Sequence, residues 1–231
     1  MEALTSKDEG DESMDVKGFT GVIMVICEWV MRLAVVNLLW MLGTLVGLGV
    51  FGIMPATISL FTVTRKWMLG DLDVPIFKTF VSTYKKEFIK SNLAGLLFAF
   101  VAYVLYIDFL FVSTLEGMLH TVLMVALLTA VLCYCVIVLY FFPLYVHYEL
   151  KLFQYFKRSL LLGLIRPFST IMIVIALATI YIPFLLFPAL IPFFGVSLGG
   201  YVIMYISYRL FTNIAKKQEE LTAQGQTQAE A

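Results

Sequence analysis

Long apolar stretches alternate with short charged ones along this chain, and the length of the apolar stretches sets the first expectation. A hydrocarbon core about 30 Å thick takes about 20 apolar residues in helical form. Four runs meet that length. They are residues 93–112, broken only by Asp108 near the end, the uncharged runs 121–142 and 168–187, and 193–211, with Arg209 in its last turn. A fifth, 33–53, follows Glu28 and Arg32. Behind it, Met54-Pro55-Ala56 breaks the pattern. Pro55 suits the first turn of a new helix, where its missing N–H costs nothing, and Gly52 suits the end of the old one. Residues 55–69 are therefore expected to form a further helix that either crosses at a tilt or dips in and returns. The pattern predicts an all-α fold, a polytopic transmembrane helical bundle of five or six spans, with six favoured. It occupies residues 19–215 as one domain.

Two segments between the spans have a different period. Phe77, Phe80, Val81, Tyr84 and Phe88 follow offsets of 0, 3, 4, 7 and 11, one face of a helix. Lys78, Lys85, Lys86 and Lys90 occupy the rest, and Asp73 ahead of Pro75 marks the start of a helix over 75–90. Residues 149–166 repeat the idea, with Leu152, Phe153, Phe156 and Leu160 beside Lys151, Lys157 and Arg158. Both read as amphipathic helices on the inner membrane surface. Lys78, Lys85, Lys86, Lys90, Lys157 and Arg158 form a candidate lipid or partner surface. Anchoring on anionic lipid is the simpler reading, at about 1 kcal/mol per basic residue. A shift of 76 residues lays Ile76-Phe77 on Leu152-Phe153, Phe80 on Phe156 and Lys90 on Arg166. This is a weak internal repeat, with convergence as the alternative.

Composition excludes a water-soluble fold. Hydrophobic residues make up 61% and charged residues 14%, against about 45–50% and about 25% in soluble domains. The formal net charge is zero, so no global field favours nucleic acid. Placement of the basic residues sets the orientation. Arg65, Lys66 and the lysines of 78–90 precede the 93–112 span. Lys151, Lys157, Arg158 and Arg166 precede the 168–187 span, and Arg209, Lys216 and Lys217 close the last one. The intervening loops have no lysine or arginine. The three basic segments, and with them the C-terminus, are assigned to the cytoplasm of a cell-membrane protein. Six spans put the N-terminus there too. Residues 1–18 carry six carboxylates against two lysines. They are expected to be a disordered acidic tail rather than a signal peptide, and 216–231 a polar C-terminal tail.

Ionisable residues inside a membrane are expensive and often functional. Glu28 and Arg32 stand at i,i+4 with the acid first, the better order for a helical pair. A structural pair at the inner interface is the plainer reading. Asp108 lies about a turn from the outer end of its span, where it binds a cation or proton or simply faces water. Asn37 is placed to hydrogen-bond across helices. Gly43 and Gly47, like Gly195 and Gly199, have the GxxxG spacing that lets helices approach closely. Pro183, Pro188 and Pro192 crowd the last hairpin. Cys27, Cys133 and Cys135 read as small buried apolar residues, and His120 and His147 as loop residues with no metal site between them. No P-loop, zinc, nucleophile-elbow or dinucleotide motif is present. The expectation is a protein that is not an enzyme and uses no cofactor.

Certain residues resemble a known family. They are Glu28-Trp29 with Arg32-Leu33, Asn37-Leu38-Leu39-Trp40, Pro55-Ala56-Thr57, Arg65-Lys66-Trp67 with Gly70, Pro75-Ile76-Phe77-Lys78 with Phe80, and Tyr84-Lys85-Lys86-Glu87-Phe88 with Asn92. Together they are similar to the opening of the YesL-like family, densely over residues 27–95. Those are bacterial, largely Gram-positive membrane proteins whose domain has no assigned function. The resemblance implies a cell-membrane location and an association with carbohydrate uptake, members being encoded beside sugar-import components. It supplies no catalytic residues. The expected role is an accessory or assembly component of a carbohydrate import system, with the lipid bilayer and transporter subunits as partners. The alternatives are a small permease in its own right and a lipid-interacting regulatory membrane protein.

Overall fold

The computed structural model describes residues 5–229, and side chains for residues 20–217 and 220–222. Eight α-helices follow one another: α1 Thr5–Val46, α2 Val50–Met68, α3 Ile76–Val112, α4 Gly117–His147, α5 Leu152–Ile165, α6 Pro167–Leu186, α7 Ile191–Phe194 and α8 Ser197–Ala229. A 3₁₀ turn, Pro188–Leu190, precedes α7. No strand occurs among the described residues. Helical backbone enters both expected tails, from Thr5 and as far as Ala229; residues 1–4 and 230–231 lie outside the described residues.

Among the described residues, four helices are long and apolar enough to cross a membrane: α1 from Thr20, α3, α4 and α6. A fifth span results if the 3₁₀ turn and α7 are taken with α8, across a bend of 57°. Most of their surface faces outward. In the most apolar stretch of α4 only 6% is buried within the protein. Side chains such as Leu128, Leu132, Phe168 and Leu185 stand 64–86% exposed. So much apolar surface is compatible with folding only where the surrounding solvent is hydrocarbon.

The uncertain helix is α2, and its position is central. Eleven of its 19 residues are buried, including the unbroken run Pro55 to Phe61, and a helix apolar on every side belongs in the interior. It is antiparallel to α1, with the Trp40 indole N–H donating to Thr57 Oγ1 at 3.0 Å and Trp29 edge-on to Trp67. The expected break at Gly52 and Pro55 lies earlier, at Gly47 to Gly49, and Pro55 falls inside α2. The turn is set by Leu48 and Gly49, both at positive φ. Gly47 and Gly52 meet backbone to backbone, and a Cβ on either would collide with the other strand of the hairpin. Only glycine permits that approach.

The remaining helices wrap this hairpin. α3 runs antiparallel to α2, Gly95 closing on Met54, and α4 runs antiparallel to α3, with Phe98 against Tyr134 and Phe141. The segment expected as a separate surface helix over 75–90 is instead the first part of α3, continuous with the span through 37 residues. With no glycine or proline between Ile76 and Asn92, nothing stops the helix, which extends about 55 Å at 1.5 Å per residue. Its partner in the repeat, α5, begins at Leu152, 76 residues after Ile76. It packs along α4 through buried Tyr155, Ser159 and Gly163. Proline at 167 then ends it, and α6 begins at once. Phe80 and Phe156, equated by the repeat, each pack into one of the two apolar clusters.

The basic ends of α2 and α4, the start of α3 and the turn of α8 at Tyr208 to Phe211 gather at one end of the bundle. Arg65 approaches His147, and His147 packs on Phe211 and Tyr208. α1 enters from that end as well, Trp29 touching Trp67 and Tyr201. Both histidines are helical, in α4, rather than in loops. Cys27 and Cys135 face outward and Cys133 is half-buried, so their apolar surroundings lie outside the bundle and not in its core.

Candidate functional site

At the basic end, α2, α3, α4 and the start of α5 diverge around a cavity of about 1050 Å³. Its position follows from the helix ends. α4 terminates at His147, the chain crosses at Tyr148 to Lys151, and α5 turns back alongside. Tyr155 fixes that crossing. Its hydroxyl donates to Tyr148 O at 2.7 Å and accepts from Leu150 N–H at 2.9 Å. Burial, above all, pushes the Tyr155 phenol above its ordinary value, so it remains a neutral donor throughout the physiological range.

The cavity walls combine opposite charges unequally. Arg65, Lys86, Lys90 and Lys151 line it, against Glu87 and Glu149. Glu87 is engaged by the Tyr145 hydroxyl, which donates to Oε2 at 2.7 Å. Arg65 Nε donates to His147 Nδ1 at 3.4 Å, which orients the guanidinium. The only ion pair among the described residues is Glu28–Arg32, elsewhere in the structure. The cavity cations therefore have no carboxylate within bridging distance.

A second cavity, about 550 Å³, is lined by Trp40, Met41, Tyr181, Phe184 and Pro192 among others and has almost wholly apolar walls. Its one strongly polar member is Asn37, which is 1% exposed. Asn37 Oδ1 accepts from the N–H groups of Val196 and Ser197, both at 3.0 Å, and Nδ2 donates to Pro192 O at 2.6 Å. A residue of α1 thus caps the start of α8, where the first N–H groups have no partner within the helix. Asn37 spends its polar atoms on the fold and presents little of them to the cavity.

The other residues singled out from sequence are dispersed. Glu28 pairs with Arg32 within α1, and the buried Arg32 lies over Trp29 at 5.6 Å. Asp108 is exposed, one turn from the end of α3. Lys78, Lys85, Lys157 and Arg158 are exposed on α3 and α5, away from the cavity walls, while Lys86 and Lys90 are exposed and also line the cavity. Sequence reasoning missed Glu87, Tyr145, His147 and Tyr155 as one group. The available signal was the dense polar and aromatic stretch Tyr145 to Lys151 immediately behind an apolar span.

Similarity to known proteins bears on this arrangement. A family described as protein of unknown function, DUF624, matches residues 33–109, the part of α1 through α3 that frames the central hairpin. The chain is 39% identical to the uncharacterized protein YteU of Bacillus subtilis over 201 residues, 87% of this chain and 90% of that one. It is 34% identical to the uncharacterized protein YesL of the same organism over 200 residues, 84% of this chain and 91% of that one. The chain belongs to the YesL-like family. The uncharacterized protein YesV of Bacillus subtilis, also similar, is 39% identical over 192 residues, 83% of this chain and 92% of that one. No solved structure matches the chain. The similarity to these relatives covers 83–87% of this chain, well beyond residues 33–109.

Proposed function

We propose that this YesL-like protein is a non-enzymatic accessory component of a solute-import system, held in the cell membrane with both termini in the cytoplasm. Carbohydrate is the solute class that the family resemblance implies. One observation supports the reading: the charged side chains that line a cavity lie at the basic end, while the second cavity has almost wholly apolar walls. Phe61 and Phe142, stacked at 5.4 Å, and Phe141 at 5.6 Å from Phe142 pack in the apolar interior. Charged groups gathered at that end fit binding there better than conduction through the bundle. The distribution of lysine and arginine supports an inside location for the basic end. Recovery of the tagged protein from its own membranes in mild detergent tests this reading. Transporter subunits are expected alongside it. Recovery of the chain alone, repeated after cross-linking in intact cells, would refute it.

A second reading is a permease acting alone. It is favoured by the register of α3 with α5–α6, whose starts lie 76 residues apart, since transporters are commonly built from repeats. Uptake of several labelled sugars into liposomes holding the purified protein separates the two. Uptake above that of empty liposomes would favour the permease.

A further inference from the structure

We propose that the cavity at the basic end is a binding site for an organic phosphate: a phosphate ester carried either on a lipid headgroup or on a soluble metabolite. The proposal goes beyond the accessory role and does not depend on it. It rests on charge, donor geometry, rigidity and size.

Four cations and two carboxylates line the cavity, an excess of two positive charges that a phosphate monoester dianion matches. Glu87 is already committed to Tyr145, and no cation of the cavity is bridged to a carboxylate among the described residues. Arg65 spends its Nε on His147. Its two terminal amino groups remain as a planar fork, the arrangement that meets phosphate bidentately. Lys86 and Lys90 stand one helical turn apart on α3, and Lys151 comes from the far wall, so positive charge reaches the space from three elements.

The site is built rather than collapsed. Tyr155 ties Tyr148 and Leu150 together and fixes the rim. The volume of about 1050 Å³ far exceeds what inorganic phosphate fills and sits at the upper end of ordinary ligand pockets, about 300–1000 Å³. The remaining space, with Thr62, Thr83 and Gln154 on its walls, suits a hydroxylated body attached to the phosphate. Basic pockets between membrane helices on the cytoplasmic side hold lipid headgroups in this way.

The test uses the full-length protein in a non-ionic detergent, titrated with glycerol 3-phosphate and followed by calorimetry and thermal unfolding. Saturable binding and a rise in Tm are expected, with succinate at equal ionic strength giving neither. R65Q/K86Q should weaken binding at least tenfold, and K216Q/K217Q, on α8, should leave it unchanged. Should R65Q/K86Q not fold, K90Q/K151Q replaces two exposed side chains and should still weaken binding several-fold. The two sources separate in nanodiscs. A lipid-headgroup site is occupied in discs containing phosphatidic acid, whose headgroup is a phosphate monoester, and open to glycerol 3-phosphate in phosphatidylcholine discs, whereas a soluble-ester site is open in both. Either result supports the phosphate assignment. Absence of saturable binding in detergent and in both discs, equal binding of succinate, or unchanged affinity in both double variants would overturn it.

Discussion

Asn37→Ala removes a side chain that joins α1 to the bend before α8. In the native protein, four hydrogen bonds converge on this amide, three of them short: two from Val196 and Ser197 N–H at 3.0 Å and one to Pro192 O at 2.6 Å, with a longer one to Ile191 O at 3.4 Å. The surroundings are apolar and Asn37 is all but inaccessible, so water cannot replace them without entering the bundle. Interhelical hydrogen bonds in membrane proteins average about 0.6 kcal/mol and reach about 1.7. Three of them set a loss of about 2–5 kcal/mol, the upper figure applying if the freed N–H and C=O groups find no partner. Asn37→Asp should lose less, because a carboxyl oxygen still faces the start of α8 while the donor to Pro192 is gone. Reversible unfolding in mixed detergent and dodecyl sulfate micelles measures the difference. Trp40, in the wall of the adjacent cavity, gives a local fluorescence signal. A loss below about 0.5 kcal/mol for Asn37→Ala would refute the claim that this amide holds the bend.

Packing, exposure and orientation carry four further predictions. Gly47→Ala drives a Cβ into the backbone of Gly52; overpacking costs about 1–3 kcal/mol and more where backbone must move, so folded yield and Tm should fall sharply, and a native-like Tm would count against the hairpin. Gly163→Val places a branched side chain against Val136, and should destabilise less than Gly47→Ala in the same unfolding assay because a side chain can yield. Cys27 and Cys135, facing outward on apolar helices, should resist a charged thiol reagent in native membranes and react in dodecyl sulfate; labelling in the native membrane would contradict their lipid exposure. Single cysteines at Lys217 and Ser113 should label from the inside and the outside respectively, and the reverse pattern would invert the orientation.

Apolar run length carried much of the architecture. Residues 168–187 nearly coincide with α6, and the uncharged run 121–142 lies within α4. Run length failed where a turn is made of apolar residues. Val46 to Gly49 is as hydrophobic as its flanks, so the turn fixed by Leu48 and Gly49 is invisible to hydropathy, whereas Pro55 is conspicuous and yet lies within a helix. The amphipathic period of 75–90 was legible as helix, but continuity with the following span was not, because lysines that mark an interface do not interrupt hydrogen bonding along a helix. Asn37 was legible as a cross-helix donor, although its partners are backbone groups 155–160 residues away. The polar cavity was the least legible feature. Its walls come from four segments, and no local pattern records that Arg65 meets His147 or that Glu87 meets Tyr145.

The two segments aligned by the shift of 76 residues differ in continuity. α3 passes from the basic end to the far side as one rod of about 55 Å, while α5 and α6 are separated at Arg166 and Pro167. A rotation of about 5° at the foot of such a rod displaces its far end by about 5 Å. The same rotation of α5 would meet the break at Arg166 and Pro167 before it reached α6. Any movement of the basic end passed to α3 would thus reach the far side along one wall, while the articulated wall would keep its place.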